Sequence, residues 1–127
     1  MTGYSAKVVN SSKELSAVEK IALKDTGDCE RLDALTSDGT VTIELDYYAE
    51  IAIHNEKSKD KDYSQIVVVA KDGTRFVTGS ESFKTSLEDI YEEMYDAGEA
   101  DNIVLKVYRV ESKNYAGKQF IKCSLAL

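Results

Sequence analysis

Three features of the sequence predict a mainly β fold of the α+β class with two helices. Apolar and polar residues alternate from Val41 to Ile53, an Asp72-Gly73 dipeptide separates two β-rich runs, and Phe83, Leu87, Ile90 and Met94 recur at helical spacing. At 127 residues the chain has the length of one domain with one hydrophobic core, so 1–127 is read as a single unit with 1–27 as an N-terminal helical extension. Its 43% apolar and 31% charged residues exclude a chain that is disordered throughout.

The elements follow in chain order. Ser11 and Glu14 have the spacing of a capping box, and Leu15, Val18 and Ala22 recur on one face behind them, which predicts a helix over 12–24 that ends near Gly27. Residues 28–35 fit a short strand or a further helical turn equally well. In the next segment Val41, Ile43, Leu45, Tyr47, Ala49, Ile51 and Ile53 fall on one side, with Thr42, Glu44, Asp46, Tyr48, Glu50 and His54 on the other. Strands usually run about five or six residues, so this one is expected to bend and serve two parts of a curled sheet, or to break near Asp46–Tyr48.

The charged run 55–62 reads as a loop. Tyr63 to Ala70 and Arg75 to Thr78 are then paired strands, joined by a turn whose two central residues both take positive φ. Residues 80–97 form a helix with a serine cap before it and Gly98 after it. Strands over 102–112 and 118–127 close the chain through Asn114-Tyr115-Ala116-Gly117, a type I turn with a left-handed glycine that sets Asn114 opposite Lys118. That register gives one face to Ile103, Leu105, Val107, Cys123, Leu125 and Leu127. The other goes to Lys106, Tyr108, Val110, Phe120, Lys122 and Ser124.

Behind the N-terminal segment the order is strand, strand, strand, helix, strand, strand. It matches a five-stranded antiparallel OB-like barrel with its helix between strands 3 and 4, and a curled sheet that does not close gives the same order.

Catalytic constellations are sparse. His54 is the only histidine, and no nucleophile-elbow, zinc-protease, Walker or dinucleotide motif accompanies it, so it reads as a sheet-end residue and the protein as no enzyme. Cys29 and Cys123 stand apart without metal-ligand spacing, which points to reduced thiols, no metal and no cofactor. No stretch approaches the roughly 20 apolar residues of a membrane span, and the first residues lack a signal-peptide core, so a soluble cytoplasmic protein without a membrane partner is expected.

The net charge of −7 argues against a general phosphate binder, but it is unevenly distributed. Residues 103–127 hold Lys106, Arg109, Lys113, Lys118 and Lys122 against Glu111 alone, a local +4 that leaves −11 elsewhere. Single-stranded nucleic acid is held by aromatic platforms for the bases and cations along the phosphates. Tyr108, Tyr115 and Phe120 supply platforms within the same hairpin as those cations, and Tyr48 and Tyr63 are candidates on neighbouring strands. The same residues serve equally well as a second hydrophobic layer, with Tyr108, Val110 and Phe120 under the N-terminal helix and the lysines solvating its edge.

The segments YRVESKNYAGKQFIKCSL (108–125), IHNEKSKDKDY (53–63) and KELSAVEKIALKD (13–25) resemble small phage-encoded single-stranded DNA-binding proteins over most of the chain. The resemblance implies an OB-fold, cooperative coating of single-stranded DNA in phage replication or recombination, and the cytoplasm of a bacterial host. Many such proteins recruit partners through a flexible acidic tail, whereas this sequence ends in IKCSLAL. The acidic stretch 81–101 is the candidate for contacts with replication or recombination proteins, and a homo-oligomer is left open. The competing reading is a nucleic-acid mimic that presents the carboxylates of 81–101 to a basic groove on a host defence protein.

Overall fold

The computed structural model describes residues 4–24, 29–37, 39–57, 62–111 and 119–126. In chain order they form strand β1 (Tyr4–Ser11), helix α1 (Ala17–Lys24), strand β2 (Glu30–Arg31), the one-turn helix α2 (Leu32–Leu35), strands β3 (Val41–Asn55), β4 (Asp62–Ala70) and β5 (Arg75–Thr78), helix α3 (Glu81–Asp96), and strands β6 (Val104–Glu111) and β7 (Gln119–Leu125). The fold is mainly β, a curled mixed sheet with three helices, as its class was expected to be. The described residues hold seven strands where the sequence suggested five, and the short β2 pairs with β5 in parallel.

The long strand organises the sheet. β4 runs antiparallel along one edge of β3 from Leu45 to His54. The other edge is shared, with β6 pairing to Val41–Glu44 and β1 pairing to Ala49–Asn55. The expected bend is therefore present, and its cause is a one-residue bulge: the β3–β4 register slips between Leu45 and Tyr47, leaving Asp46 unmatched.

A one-residue slip exchanges the faces of everything beyond it. Ile43 and Leu45 before the bulge, and Tyr48 after it, face one apolar cluster, which also takes Phe83 and Leu87 of α3, Leu105, Val107, Ile121 and Cys123. Tyr47, Ala49, Ile51 and Ile53 face a second cluster with Leu15 and Leu23. Consecutive residues of β4 are divided likewise, Ile66 and Val68 to the first and Val67 and Val69 to the second. That unbroken apolar run is what a strand covered on both faces requires.

The N-terminal segment departs from the expectation. Residues 4–11 are a strand, not part of a helical extension, and a bulge between Val8 and Asn10 disturbs the alternation that would have revealed it. The helix begins five residues later than expected because Ser16 and Glu19, not Ser11 and Glu14, form the capping box. Glu19 N–H donates to Ser16 Oγ at 3.2 Å and Ser16 N–H to Glu19 Oε1 at 3.1 Å. Of the face expected to pack, Leu15 is buried, but Val18 is 77% exposed. The undecided stretch 28–35 contains both alternatives in succession, β2 and then α2.

Helix α3 follows the expected pattern. Ser80 Oγ accepts from Phe83 N–H at 3.2 Å, and beyond the helix Gly98 N–H and Glu99 N–H close a Schellman motif on Tyr95 O at 3.0 Å and Met94 O at 2.8 Å. Gly98 takes the required φ of +75°. Phe83 and Leu87 are fully buried, and Ile90 and Met94 are half-buried against the same cluster. The β4–β5 turn has three residues, not two. Gly73 N–H donates to Ala70 O at 2.9 Å, Ala70 N–H to Thr74 O at 2.8 Å, and among the described residues only glycine has positive φ, so Asp72 does not.

Candidate nucleic-acid interface

In the β6–β7 hairpin, Leu105 stands opposite Leu125, Val107 opposite Cys123, Tyr108 opposite Lys122 and Val110 opposite Phe120. These partners differ by two positions from those implied by Asn114 opposite Lys118. Because the side-chain period is two, the division of faces survives unchanged. Leu105, Val107 and Cys123 are buried against α3, and Lys106, Tyr108, Val110, Phe120, Lys122 and Ser124 lie on the opposite face.

On that outer face Lys106 and Lys122 are exposed, while Tyr108, Val110 and Phe120 are half-exposed. Lys106 Nζ lies 5.9 Å from the centre of the Tyr108 ring, inside cation–π range, and Lys122 is the cross-strand neighbour of the same ring. Helix α1 does not supply the second layer that would cover these aromatics, because Leu23 packs on the β3–β4 part of the sheet with Ala49, Ile51 and Val67. The pairings of β3 with β6 add Thr42 and Glu44 to this face.

Charge is segregated by the sheet itself. α3 lies on the core side of the hairpin and exposes Glu81, Asp89, Glu92, Glu93 and Asp96, with Glu99 and Asp101 exposed beyond it. The lysines of the outer face point the other way.

The other candidate residues separate. Tyr48 is only 7% exposed, packed edge-on against Tyr91 with ring centres 5.4 Å apart, and its phenol is pushed up to about 12, chiefly by burial. The bulge at Asp46 turns it inward, so it offers no ring to a base. Arg109 alternates onto the core side of β6 and reaches α2, donating from Nε to Thr36 Oγ1 at 3.2 Å and from Nη2 to the Asp33 carbonyl. Tyr63 is half-buried against the second cluster and lines a shallow depression with Ser5, Lys7 and His54. Lys113, Tyr115 and Lys118, and the turn that joins the two strands, lie outside the described residues.

A cleft of about 470 Å³ opens between α2 and the hairpin, lined by Thr36, Ser37, Gly39, Thr40, Tyr108, Arg109 and Gln119. Sequence reasoning missed Thr36, Thr40 and Gln119, and nothing in their local pattern signals a site. They meet Arg109 only because β6 runs on past its last pairing with β3, Val107 opposite Val41.

Elsewhere, His54 ends β3 as expected. Its Nδ1 is 2.7 Å from Asp62 Oδ1 and its Nε2 is 2.6 Å from Glu56 Oε1, and these hydrogen bonds raise its pKa. Cys123 lies in the first cluster with its thiol pushed up to about 12 by burial, whereas Cys29 packs on the second, across the sheet. Among the described residues no group of three or more His, Cys, Asp or Glu is arranged to hold a metal ion, and no helix is long and apolar enough to cross a membrane. Comparison with known proteins finds no matching family model, no matching curated protein and no matching solved structure.

Proposed function

We propose that the protein binds single-stranded DNA with little sequence preference through the outer face and connecting loop of the β6–β7 hairpin. The observation that carries this reading is Tyr108, half-exposed and flanked by Lys106 and Lys122 on a face turned away from the acidic helix. A stacking platform between two cations is the minimal unit for holding a base and its flanking phosphates. Phe120 extends the platform and Tyr63 is a more distant second one. Lys113, Tyr115 and Lys118 occupy the loop sequence between the two strands and add further cations and a ring.

The strand connectivity supports the same reading. The pairings β3–β4, β4–β5, β3–β6 and β6–β7, with a helix between β5 and β6, are compatible with an OB-like arrangement, from which the added β1 on β3 and β2 on β5 depart in detail. In such barrels the loops between the first two and the last two strands contact oligonucleotides, and the latter corresponds here to the β6–β7 connection. In that role the protein would coat single strands during phage replication or recombination, with the exposed acidic face of α3 available to partner proteins.

Fluorescence titration of labelled oligo(dT) of about 30 nucleotides at low salt tests the proposal, with affinity expected to fall steeply as salt rises. No detectable binding at low salt would overturn it. The exposed carboxylates of α3 would then favour the acidic-mimic reading, which predicts displacement of DNA from a basic nuclease.

A further inference from the structure

We propose that the cleft between α2 and the hairpin is a phosphate site that takes one nucleoside monophosphate unit, with Arg109 as its cation. The unit arrives either as the 5′ end of a bound strand, a source that rests on the strand-binding reading above, or as a free monomer.

The cleft's volume of about 470 Å³ falls within the range of small-ligand sites, ~300–1,000 Å³. Among the described residues lining it, the charged side chain is that of Arg109. Arg109 is held in place before any ligand arrives, since Nε on Thr36 Oγ1 at 3.2 Å and Nη2 on the Asp33 carbonyl fix the plane of its guanidinium. A guanidinium has five N–H donors, so this anchoring leaves the Nη1 edge for an anion, and a preorganised fork loses less entropy on binding.

Thr40 and Gln119 add neutral donors. Both are exposed, and neither side chain has a hydrogen-bond partner among the described residues. Thr36 cannot donate as well, because its hydroxyl already donates to Leu32 O at 2.7 Å. Tyr108 completes the argument: it belongs both to the cleft wall and to the outer face, where its ring neighbours Lys122. A nucleotide can therefore lay its base toward Tyr108 while its phosphate meets Arg109, and a strand on the outer face can end in the cleft.

The experiment pairs two oligo(dT) strands that differ only in a 5′-phosphate or 5′-hydroxyl, and adds dTMP and thymidine followed by amide NMR. The phosphorylated strand should bind roughly tenfold tighter, as expected for a charge-assisted hydrogen bond. dTMP, but not thymidine, should shift the Thr40 and Tyr108 resonances. T40V and Q119A should keep the melting temperature and the affinity for the 5′-hydroxyl strand while losing most of the preference. R109Q should lose it too, and the two milder variants carry the test if R109Q unfolds.

Equal binding of the two strands, with the cleft resonances unmoved by dTMP, would overturn this inference and leave strand binding intact. Cleft shifts with dTMP but no binding of either strand would support the cleft as a monomer site and overturn strand binding. Silence in every arm would sink both.

Discussion

The Tyr91 hydroxyl donates to the backbone carbonyl of Ser12 at 2.8 Å, tying α3 to the segment that follows β1. Ser12 is in turn held to Tyr48, its N–H donating to Tyr48 O at 2.9 Å and its Oγ accepting from Tyr48 N–H at 2.9 Å. One tyrosine thus links helix, N-terminal segment and the strand beside the bulge. Tyr91→Phe keeps the edge-on packing with Tyr48 and removes only the hydrogen bond, so it should cost about 0.5–1.5 kcal/mol. Tyr91→Ala should cost about 0.5–1.5 kcal/mol more for the missing ring pair, beyond the reduced burial. Urea denaturation with an unchanged m-value is the measurement, and a neutral Tyr91→Phe would show that the tie contributes nothing.

Leu87 is fully buried between α3 and the hairpin. Leu87→Ala should therefore cost about 2–5 kcal/mol, and Leu87→Asp should unfold the protein by placing a charge in the same position. The half-buried Ile90 should cost less than Leu87 when truncated to alanine. Circular-dichroism melts that rank these two residues the other way would contradict the packing of α3.

The outer face separates two kinds of binding energy. Lys106→Ala or Lys122→Ala should weaken oligo(dT) binding and reduce the salt slope by up to about 0.7 for each phosphate no longer neutralised. Tyr108→Ala should cost about 1–3 kcal/mol of affinity and leave the slope nearly unchanged. Titrations over a salt series distinguish them, and a Tyr108→Ala variant with full affinity would remove the stacking role. Tyr48→Phe should leave binding unaffected, since that ring is in the core.

His54 bonds to two carboxylates, which raises its pKa above the ordinary 6.5. The folded state therefore holds the proton more tightly than the unfolded chain does. The resulting stabilisation is fully present below about pH 6.5 and is lost as pH rises through the higher folded value. Asp62→Asn should bring the His54 titration back toward the ordinary value. NMR titration of the imidazole measures this directly, and an unchanged midpoint in Asp62→Asn would dismiss the cross-strand bond as its cause.

How far the sequence foretold these features depended on whether local pattern or register controlled them. α3 was legible because its cap, apolar face and terminal glycine all agree. The two faces of the β6–β7 hairpin were legible for a more forgiving reason: a two-residue error in register leaves every side chain on its correct side. β1 was hidden by its bulge at Val9. Two Ser-x-x-Glu patterns compete for the start of α1, and tertiary packing selects the second. Tyr48 and Arg109 were misplaced for different reasons: the bulge at Asp46 carries Tyr48 to the face opposite the one alternation assigns, while Arg109 keeps its side and alternation cannot say what stands there. Arg109 meets Asp33 and Thr36 across more than seventy residues, a pairing that no local pattern contains.

The unmatched residue at Asp46 gives β3 two frames, much as an inserted base divides a message. Upstream of it odd-numbered side chains point into the first cluster, and downstream of it even-numbered ones do, as Tyr48 shows. Removing Asp46 would close the bulge and leave every side chain on its face, whereas removing one residue between Ala49 and Ile53 with the bulge kept would invert everything on one side of the cut, sending apolar side chains to the wrong cluster and charged ones into the core. Length changes beyond Asp46 in this strand are therefore tolerable only in pairs, and the bulge is the one place where a single residue can be spent.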